Sequence, residues 1–185
     1  TFISSFGKGI LEVLDYEPSR RFSVDNSGLE SVSSSPDNED VRVSALAFDA
    51  QGLLWSVSSR IARPLKSYNP NSNQWQSFDF SSIINDPLVD EFGFSDIAIA
   101  SNGTKFIGGY RSGIIAFNET NGGSLIKING QSSNLPNNYV TALAMDRQEI
   151  LWVGTQLGLR VLYNTSGVFN AANPATQPIV FVEDG

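Results

Sequence analysis

The residues of this chain that could carry out chemistry are mostly carboxylates and hydroxyls. Its 185 residues include no histidine and no cysteine. The sequence therefore excludes imidazole-dependent triads, thiol nucleophiles, disulfides and metal sites built on either side chain. The absence of cysteine leaves the cellular compartment open.

Two short motifs have the composition of known sites. The stretch SFGK at residues 5–8 fits S-x-x-K, which needs its serine at the start of a helix so that the lysine lies one turn later. The stretch SPDNED at residues 35–40 groups three carboxylates with an asparagine and could hold Ca²⁺ through oxygen atoms. It lacks the spacing of an EF-hand. We favour a turn for the first motif and a solvated acidic loop for the second.

Two aspartates occupy matching places in two similar stretches. VSALAFDAQGLLW (43–55) and VTALAMDRQEILW (140–152) are identical at eight of 13 positions. Asp49 and Asp146 could form a pair of catalytic carboxylates. Their equivalence in a repeat favours a structural role instead, in which each accepts backbone N–H groups in the turn between two strands.

The repeat continues along the chain. FSDIAIASNGTKF (94–106) keeps the apolar rhythm and the closing aromatic, and the FIGGYRSGI that starts at its last residue recurs as FISSFGKGI (2–10). Short runs rich in Val, Ile, Phe and Trp, separated by Gly, Asn, Ser and Pro, indicate strands. A period of about 50 residues is typical of β-propellers. We therefore expect an all-β chain whose blades each have four antiparallel strands.

The repeat divides the chain into four units, at approximately residues 1–30, 41–80, 94–129 and 139–184. In the third unit the strands would be SDIAIA, KFIGGY, GIIAFN and SLIKIN; the fourth strands of the other units would be RRFSVD (20–25), QWQSFDF (74–80) and PIVFVED (178–184). The first unit lacks its first strand, and propellers close with about four to eight blades. We expect a single propeller segment, with three full blades and three strands of another, from a longer protein.

The stretch LPNNYVTALAMDRQEILWVGTQLGLRVLYN (135–164) resembles the two-component-regulator propeller repeat, whose pattern is roughly L-P-x-N-x-V-x-x-I-x-x-D-x-x-G-x-L-W-x-G-T-x-x-G-L. The matching residues are Leu135, Pro136, Asn138, Val140, Asp146, Leu151, Trp152, Gly154, Thr155, Gly158 and Leu159. Glu149 replaces a glycine of the pattern, so a turn of another type is expected there. The match is partial at residues 94–114 and 43–61, and at residues 2–10 it covers the second half of the pattern.

A finer resemblance involves the end of the chain. WVGTQLGLRVLYNTSGVFN (152–170) and the later FVEDG are similar to the propeller segment of PorZ-like proteins, surface components of the Bacteroidetes type IX secretion system. This resemblance implies a non-enzymatic scaffold that contacts protein or glycan and helps to anchor exported cargo. Its partners would be the other blades of the full-length protein, other surface or secretion proteins, and lipopolysaccharide or another glycan.

A second hypothesis is the extracytoplasmic, ligand-sensing propeller of a hybrid two-component sensor kinase, which would bind a glycan or its breakdown product. The long insertion VLYNTSGVFNAANPATQP (161–178) favours the secretion scaffold by resemblance. A third class, a propeller lyase or hydrolase, is disfavoured in this stretch by the absence of histidine. We expect no catalytic, metal-binding or cofactor-binding residues and no cofactor.

Composition and charge limit the partners and the location. The net charge of −7 and the isoelectric point near 4.5 make nucleic-acid binding unfavourable, since the phosphate backbone would be repelled. No apolar run approaches the roughly 20 residues of a membrane-spanning helix. We expect an extracytoplasmic β-protein, at the cell surface or in the periplasm.

The aromatic residues fall into two groups. Trp55, Phe106 and Trp152 recur at one place in the repeat, so we expect them to be largely buried between blades. Tyr110 precedes Arg111 in the expected turn between strands two and three. A plain surface turn is the favoured interpretation, and contact with a sugar or peptide is the alternative. Trp75 and Tyr139 do not follow the repeat as cleanly.

Overall fold

The computed structural model describes residues 1–86, 88–171 and 174–179, and its strands are all antiparallel to their neighbours within each sheet. They are β1 (Phe2–Gly7), β2 (Gly9–Leu14), β3 (Glu17–Phe22), β4 (Val41–Phe48), β5 (Leu54–Ser58), β6 (Leu65–Asn69), β7 (Gln74–Phe78), β8 (Phe94–Ile99), β9 (Lys105–Gly109), β10 (Ile114–Asn118), β11 (Ser124–Ile128), β12 (Val140–Met145), β13 (Leu151–Thr155), β14 (Gly158–Leu162) and β15 (Gln177–Pro178). Single 3-10 turns occur at Val24–Asn26, Pro36–Asn38 and Glu119–Asn121. The predicted all-β fold is confirmed.

The strands form a seven-stranded sheet and two four-stranded sheets. The seven-stranded sheet has the order β3-β2-β1-β4-β5-β6-β7, and the others have the orders β11-β10-β9-β8 and β12-β13-β14-β15. In the large sheet β1 and β4 pair only at Phe6↔Arg42 and Gly7↔Val41. The large sheet is therefore two meanders joined at a corner, β1–β3 and β4–β7.

Successive meanders pack face to face through three apolar clusters. The first cluster includes Ile10, Phe22, Val41, Leu54 and Tyr68; the second includes Trp55, Val57, Leu65, Ile107, Ile115 and Phe117; the third includes Phe106, Ala116, Ile128, Val140, Leu151 and Val153. Adjacent residues of a strand point to opposite faces, so Phe106 and Ile107 belong to different clusters. Both faces of an inner strand are therefore buried, which explains why the sequence of these strands is almost continuously apolar.

The repeated turns depend on left-handed backbone conformations. Gly113 begins the return into β10 with φ of 79°, and a Cβ atom there would lie 2.4 Å from the Ile128 carbonyl oxygen. Only glycine avoids that overlap. In the turn between β12 and β13, Glu149 has φ of 62°, close to the 79° of Gly52 in the turn between β4 and β5. The expectation of another turn type at Glu149 is therefore wrong, because glutamate adopts the glycine conformation there.

Two predicted strands differ from the observed ones. The third strand of the first meander, β3, ends at Phe22, so the prediction of a strand over 20–25 is displaced. The Asn26 side chain accepts a hydrogen bond from the Ser23 amide, and the chain turns over Val24–Asn26. The predicted strand at 178–184 falls mostly outside the described residues, and β15 covers Gln177–Pro178.

The three recurring aromatics lie on the second strands of their meanders, as predicted, in β5, β9 and β13. Trp55 and Phe106 are 1% and 0% exposed, which confirms their predicted burial. The burial predicted for Trp152 is wrong, because 37% of this residue is exposed. Its ring lies on the face of the β12–β15 sheet against which no further sheet packs among the described residues.

Candidate functional site

The S-x-x-K motif does not form a helical site. Ser5 lies in strand β1, and Lys8 follows at the turn into β2. The Lys8 ammonium is 3.4 Å from the Glu39 carbonyl oxygen, to which it donates. The pair therefore lacks the one-turn spacing on a helix that nucleophile activation in this motif requires. The predicted turn is displaced, because Ser5, Phe6 and Gly7 lie in β1 and only Lys8 lies between the two strands.

The acidic stretch 35–40 is held by arginine rather than arranged around a cation. Glu39 accepts a hydrogen bond from Arg21 at 3.0 Å, and Asp40 accepts from Arg42 at 2.7 Å. The Val24 amide lowers the pKa of Glu39, and the Arg42 side chain lowers that of Asp40. Within residues 1–86, 88–171 and 174–179, no cluster of acidic side chains has the arrangement of a metal site.

Asp49 closes the turn between β4 and β5. Its Oδ1 accepts hydrogen bonds from the Gln51 and Leu53 amides at 3.0 and 2.9 Å. Its Oδ2 accepts from the buried Trp55 indole N–H at 2.7 Å. The carboxylate therefore orders the turn and also supplies the acceptor that a buried indole N–H requires.

Asp146 repeats this arrangement in the β12–β13 turn. It accepts from the Gln148 and Ile150 amides through Oδ1 and from the Trp152 indole through Oδ2 at 2.9 Å. The indole contact is the largest of the interactions that lower the pKa of Asp146. The predicted role in backbone turns is confirmed, and the indole contact is an addition that the sequence analysis missed.

The β8–β9 turn shows what replaces this aspartate–tryptophan pair. Ala100 stands at the aspartate position and Phe106 at the tryptophan position. Phenylalanine has no N–H to satisfy, so both polar members of the pair are absent together. The Thr104 amide, which is equivalent to those of Leu53 and Ile150, donates instead to the Asn102 side chain at 3.0 Å.

A buried carboxylate organises the turn between β9 and β10. Glu91 is 0% exposed, and its oxygens accept hydrogen bonds from the amides of Tyr110, Arg111 and Ser112 at 2.8–3.2 Å. Three converging backbone N–H groups form a binding site for an anion. Here the chain's own Glu91 fills that site and fixes the position of Tyr110 and Arg111.

An aromatic cluster lies beside this carboxylate. The rings of Tyr110 and Tyr139 are stacked with centroids 4.5 Å apart, and Phe92 lies 5.4 Å from Tyr110. The Arg111 guanidinium carbon is 4.8 Å from the centroid of Phe92. Burial raises the pKa of Tyr110, with smaller contributions from Tyr139 and from the charge of Glu91. The turn that the sequence predicted is thus part of an aromatic surface.

The loop backbone at Val89 adjoins this cluster, since Arg111 donates to the Val89 carbonyl oxygen at 3.0 Å, and the side chains of Leu88 and Val89 are exposed. We call Leu88, Val89, Phe92, Tyr110 and Tyr139 the loop patch. Sequence analysis singled out Tyr110 and noted Tyr139. It missed the other three residues because the loop before β8 is not part of the repeat. Three exposed apolar residues within the stretch LVDEF were the available signal.

Residues 134–156 match the family described as two component regulator propeller. This segment of the chain is therefore similar to the repeat of that family. The matched segment includes the β12–β13 turn with its aspartate–tryptophan pair and ends next to the β13–β14 turn. Together with the packed meanders, the match establishes that the chain is a partial β-propeller.

Solved structures extend the likeness to nearly the whole chain. PorZ, an essential bacterial surface component of the type IX secretion system of Porphyromonas gingivalis, is 25% identical with a TM-score of 0.79 over 95% of this chain. The extracellular domain of the hybrid two-component system BT3049 from B. thetaiotaomicron is 15% identical, with a TM-score of 0.63 over 100% of this chain. This chain covers 25% of the PorZ chain and 24% of the BT3049 chain, so it spans about a quarter of either protein.

A more distant likeness involves an enzyme. Virginiamycin B lyase from Staphylococcus aureus is 14% identical with a TM-score of 0.60, and the matched part covers 49% of that chain. At this identity the likeness shows the fold alone. No curated protein matches the chain. Over the part of the chain that the structure describes, no helix is long and apolar enough to cross a membrane.

Proposed function

We propose that this chain belongs to an extracytoplasmic, non-enzymatic interaction scaffold of the PorZ type, which helps to hold exported proteins at the cell surface. The observation that carries the proposal is the agreement with PorZ over 95% of the chain, at a TM-score of 0.79 and 25% identity. The sensor propellers are lower in both measures. The partners of the whole protein remain part of the proposal, because the matched part is a quarter of PorZ.

The internal contacts of the polar residues support a scaffold rather than an enzyme. Asp49 and Asp146 each bind two amides and an indole N–H in their own turns. Glu91 is buried and accepts only from neighbouring backbone among its described contacts. General acids and bases need access to a substrate proton. The oxygen atoms of these carboxylates instead accept hydrogen bonds that stabilise the fold.

The residue types at the loop patch are those of a protein contact surface. Arginine and tyrosine are among the residues that contribute most to protein interfaces. Tyr110, Tyr139 and Arg111 are held in place by stacking and by the Glu91 carboxylate. A rigid aromatic surface loses little conformational entropy on binding.

Deleting the gene tests the proposal. In cells that secrete proteins to their surface, we expect exported cargo to shift from the cell surface to the growth medium or to accumulate unprocessed. Restoring the wild-type gene should reverse the shift. Unchanged cargo distribution in the deletion strain would contradict the scaffold.

The alternative function is the sensor propeller of a two-component system. It is favoured by the match of residues 134–156 to the regulator propeller family and by the TM-scores of 0.63–0.64 with three sensor structures. A deletion strain with normal cargo but an altered transcriptional response to glycans would support this alternative. A kinase domain in the full-length protein would do the same.

A further inference from the structure

The loop patch exposes apolar side chains that the fold does not need to expose. Leu88, Val89 and Phe92 are 48%, 63% and 41% exposed. Single exposed apolar residues are ordinary. Three of them within five positions, in a loop that contacts Arg111 beside two partly exposed tyrosines, are a concentration of exposed apolar side chains of the kind found at binding sites.

The loop that carries these residues is ordered by its own polar groups. Asp86 accepts a hydrogen bond from the Leu88 amide at 2.9 Å, and Asp90 accepts from the Asp86 amide at 2.9 Å. The Arg111 side chain binds the Val89 carbonyl oxygen. These hydrogen bonds restrain the described residues of the loop before any partner arrives, which lowers the entropy cost of binding.

The contacts within the cluster favour an apolar side chain over a sugar as the bound group. Saccharides bind aromatic residues by lying against an open ring face. In the loop patch Tyr110 stacks on Tyr139 and also contacts Phe92, and the Phe92 ring contacts Arg111. The rings are engaged with one another, and the most exposed members of the patch are the aliphatic Val89 and Leu88.

The charges around the patch indicate the complementary surface. Asp86 and Asp90 flank the two aliphatic residues in the sequence, and the turn brings the two aspartates together, since Asp90 accepts from the Asp86 amide at 2.9 Å. Among the described residues, the cation in contact with the patch is Arg111, which is already bound to Phe92 and Val89. An acidic border favours a partner with basic residues, through faster association and correct orientation. It disfavours an anionic membrane surface.

We propose that the loop patch is a docking site for a protein partner that presents an apolar pocket bordered by lysine or arginine. Leu88 and Val89 enter the pocket, and Asp86 and Asp90 face its basic border. The inference rests on the proposed scaffold function and adds to it the location and the chemistry of one contact.

Site-specific photo-crosslinking in the cells that make the full-length protein tests this docking site. A benzoylphenylalanine residue replaces Leu88, and in a control protein it replaces Tyr16, which is 100% exposed in the β2–β3 turn of another meander. We expect a discrete protein adduct from position 88 and none from position 16. Mass spectrometry should locate the crosslink in an apolar segment with lysine or arginine nearby. No adduct, equal adducts from both positions, or an adduct of lipid or saccharide alone would overturn the proposal.

Charge variants make the test specific. With the crosslinker at position 88, Asp86→Asn and Asp90→Asn remove the negative border but keep an oxygen that can accept the loop hydrogen bonds. We expect the adduct yield to fall about 3- to 10-fold in the double variant and to fall with added salt in the parent. If neither the double variant nor added salt changes the adduct yield, the partner has no basic border and the proposal is overturned.

The two proposals fail in different ways. If deletion of the gene releases cargo but position 88 gives no adduct, the scaffold function stands and the docking site is wrong. If position 88 gives the expected adduct but deletion leaves cargo in place, the docking site stands and the cargo-anchoring function is wrong.

Discussion

The Asp49–Trp55 contact is expected to be energetically coupled. Trp55 is 1% exposed, and its indole N–H donates to Asp49 at 2.7 Å. Asp49→Ala leaves that N–H buried without an acceptor, which costs about 1–3 kcal/mol. It also removes the acceptor for two turn amides, so the total loss in unfolding free energy should be about 2–4 kcal/mol.

Trp55→Phe removes the N–H itself. The β8–β9 turn has the combination of the double variant naturally, with Phe106 at the tryptophan position and Ala100 at the aspartate position. In the double variant the buried donor no longer exists, so the penalty for leaving it unsatisfied disappears. We therefore expect the two single losses to exceed the loss of the double variant by about 1–3 kcal/mol. Urea unfolding followed by far-UV circular dichroism gives the four free energies, because tryptophan fluorescence changes with the substitution.

The matched control is the same cycle at Asp146 and Trp152. This indole makes the equivalent contact at 2.9 Å, but 37% of Trp152 is exposed and water can replace the lost acceptor. The coupling there should be clearly smaller. A coupling within about 0.5 kcal/mol of zero at Asp49 and Trp55 would refute the reasoning, as would equal couplings at the two sites.

Three further predictions concern the backbone, the acid stability and the absence of chemistry. Gly113→Ala should lower the unfolding free energy by more than about 2 kcal/mol, because the new Cβ atom would overlap the Ile128 carbonyl oxygen. Gly103 also has a positive φ but faces open space, so Gly103→Ala should cost about 1 kcal/mol. Equal losses in urea unfolding would contradict the role of this overlap. The pKa values of Glu39 and Asp40 are lowered in the folded chain. As the pH falls, the unfolded chain therefore binds protons first, and the free energy of unfolding should decline below about pH 4.5. Removing both carboxylates should flatten that decline in a series of unfolding curves at different pH values. Purified full-length protein should not cleave polysaccharides or peptides, and turnover that Asp146→Asn abolishes would show that this residue is catalytic.

The repeat made most of the fold predictable from the sequence. Two stretches identical at eight of 13 positions located β4–β5 and β12–β13, because the residues that fill the same space in each meander must be similar. The position of Asp49 in the repeat also predicted its turn role. Gly113 recurs as Gly9 in the matching stretches FIGGYRSGI and FISSFGKGI, and both residues have a positive φ.

The parts that could not be predicted depend on contacts outside the repeat. Trp152 was expected to be buried because its repeat equivalents are, but burial depends on a neighbouring sheet and not on the residue itself. Glu91 gave no signal, since its role depends on three amides about 20 residues away that only folding brings together. Leu88 and Val89 belong to a connecting loop, where periodicity carries no information.

The central claim is that the protein acts by holding other proteins. Its most direct test is the mass of the native protein, extracted from the cell surface in mild detergent and measured by mass photometry. We predict a mass that exceeds the full-length chain by at least one partner protein, with release of the single chain in the Leu88→Ser, Val89→Ser variant. A wild-type protein that is extracted alone, with the mass of one chain, would contradict the claim.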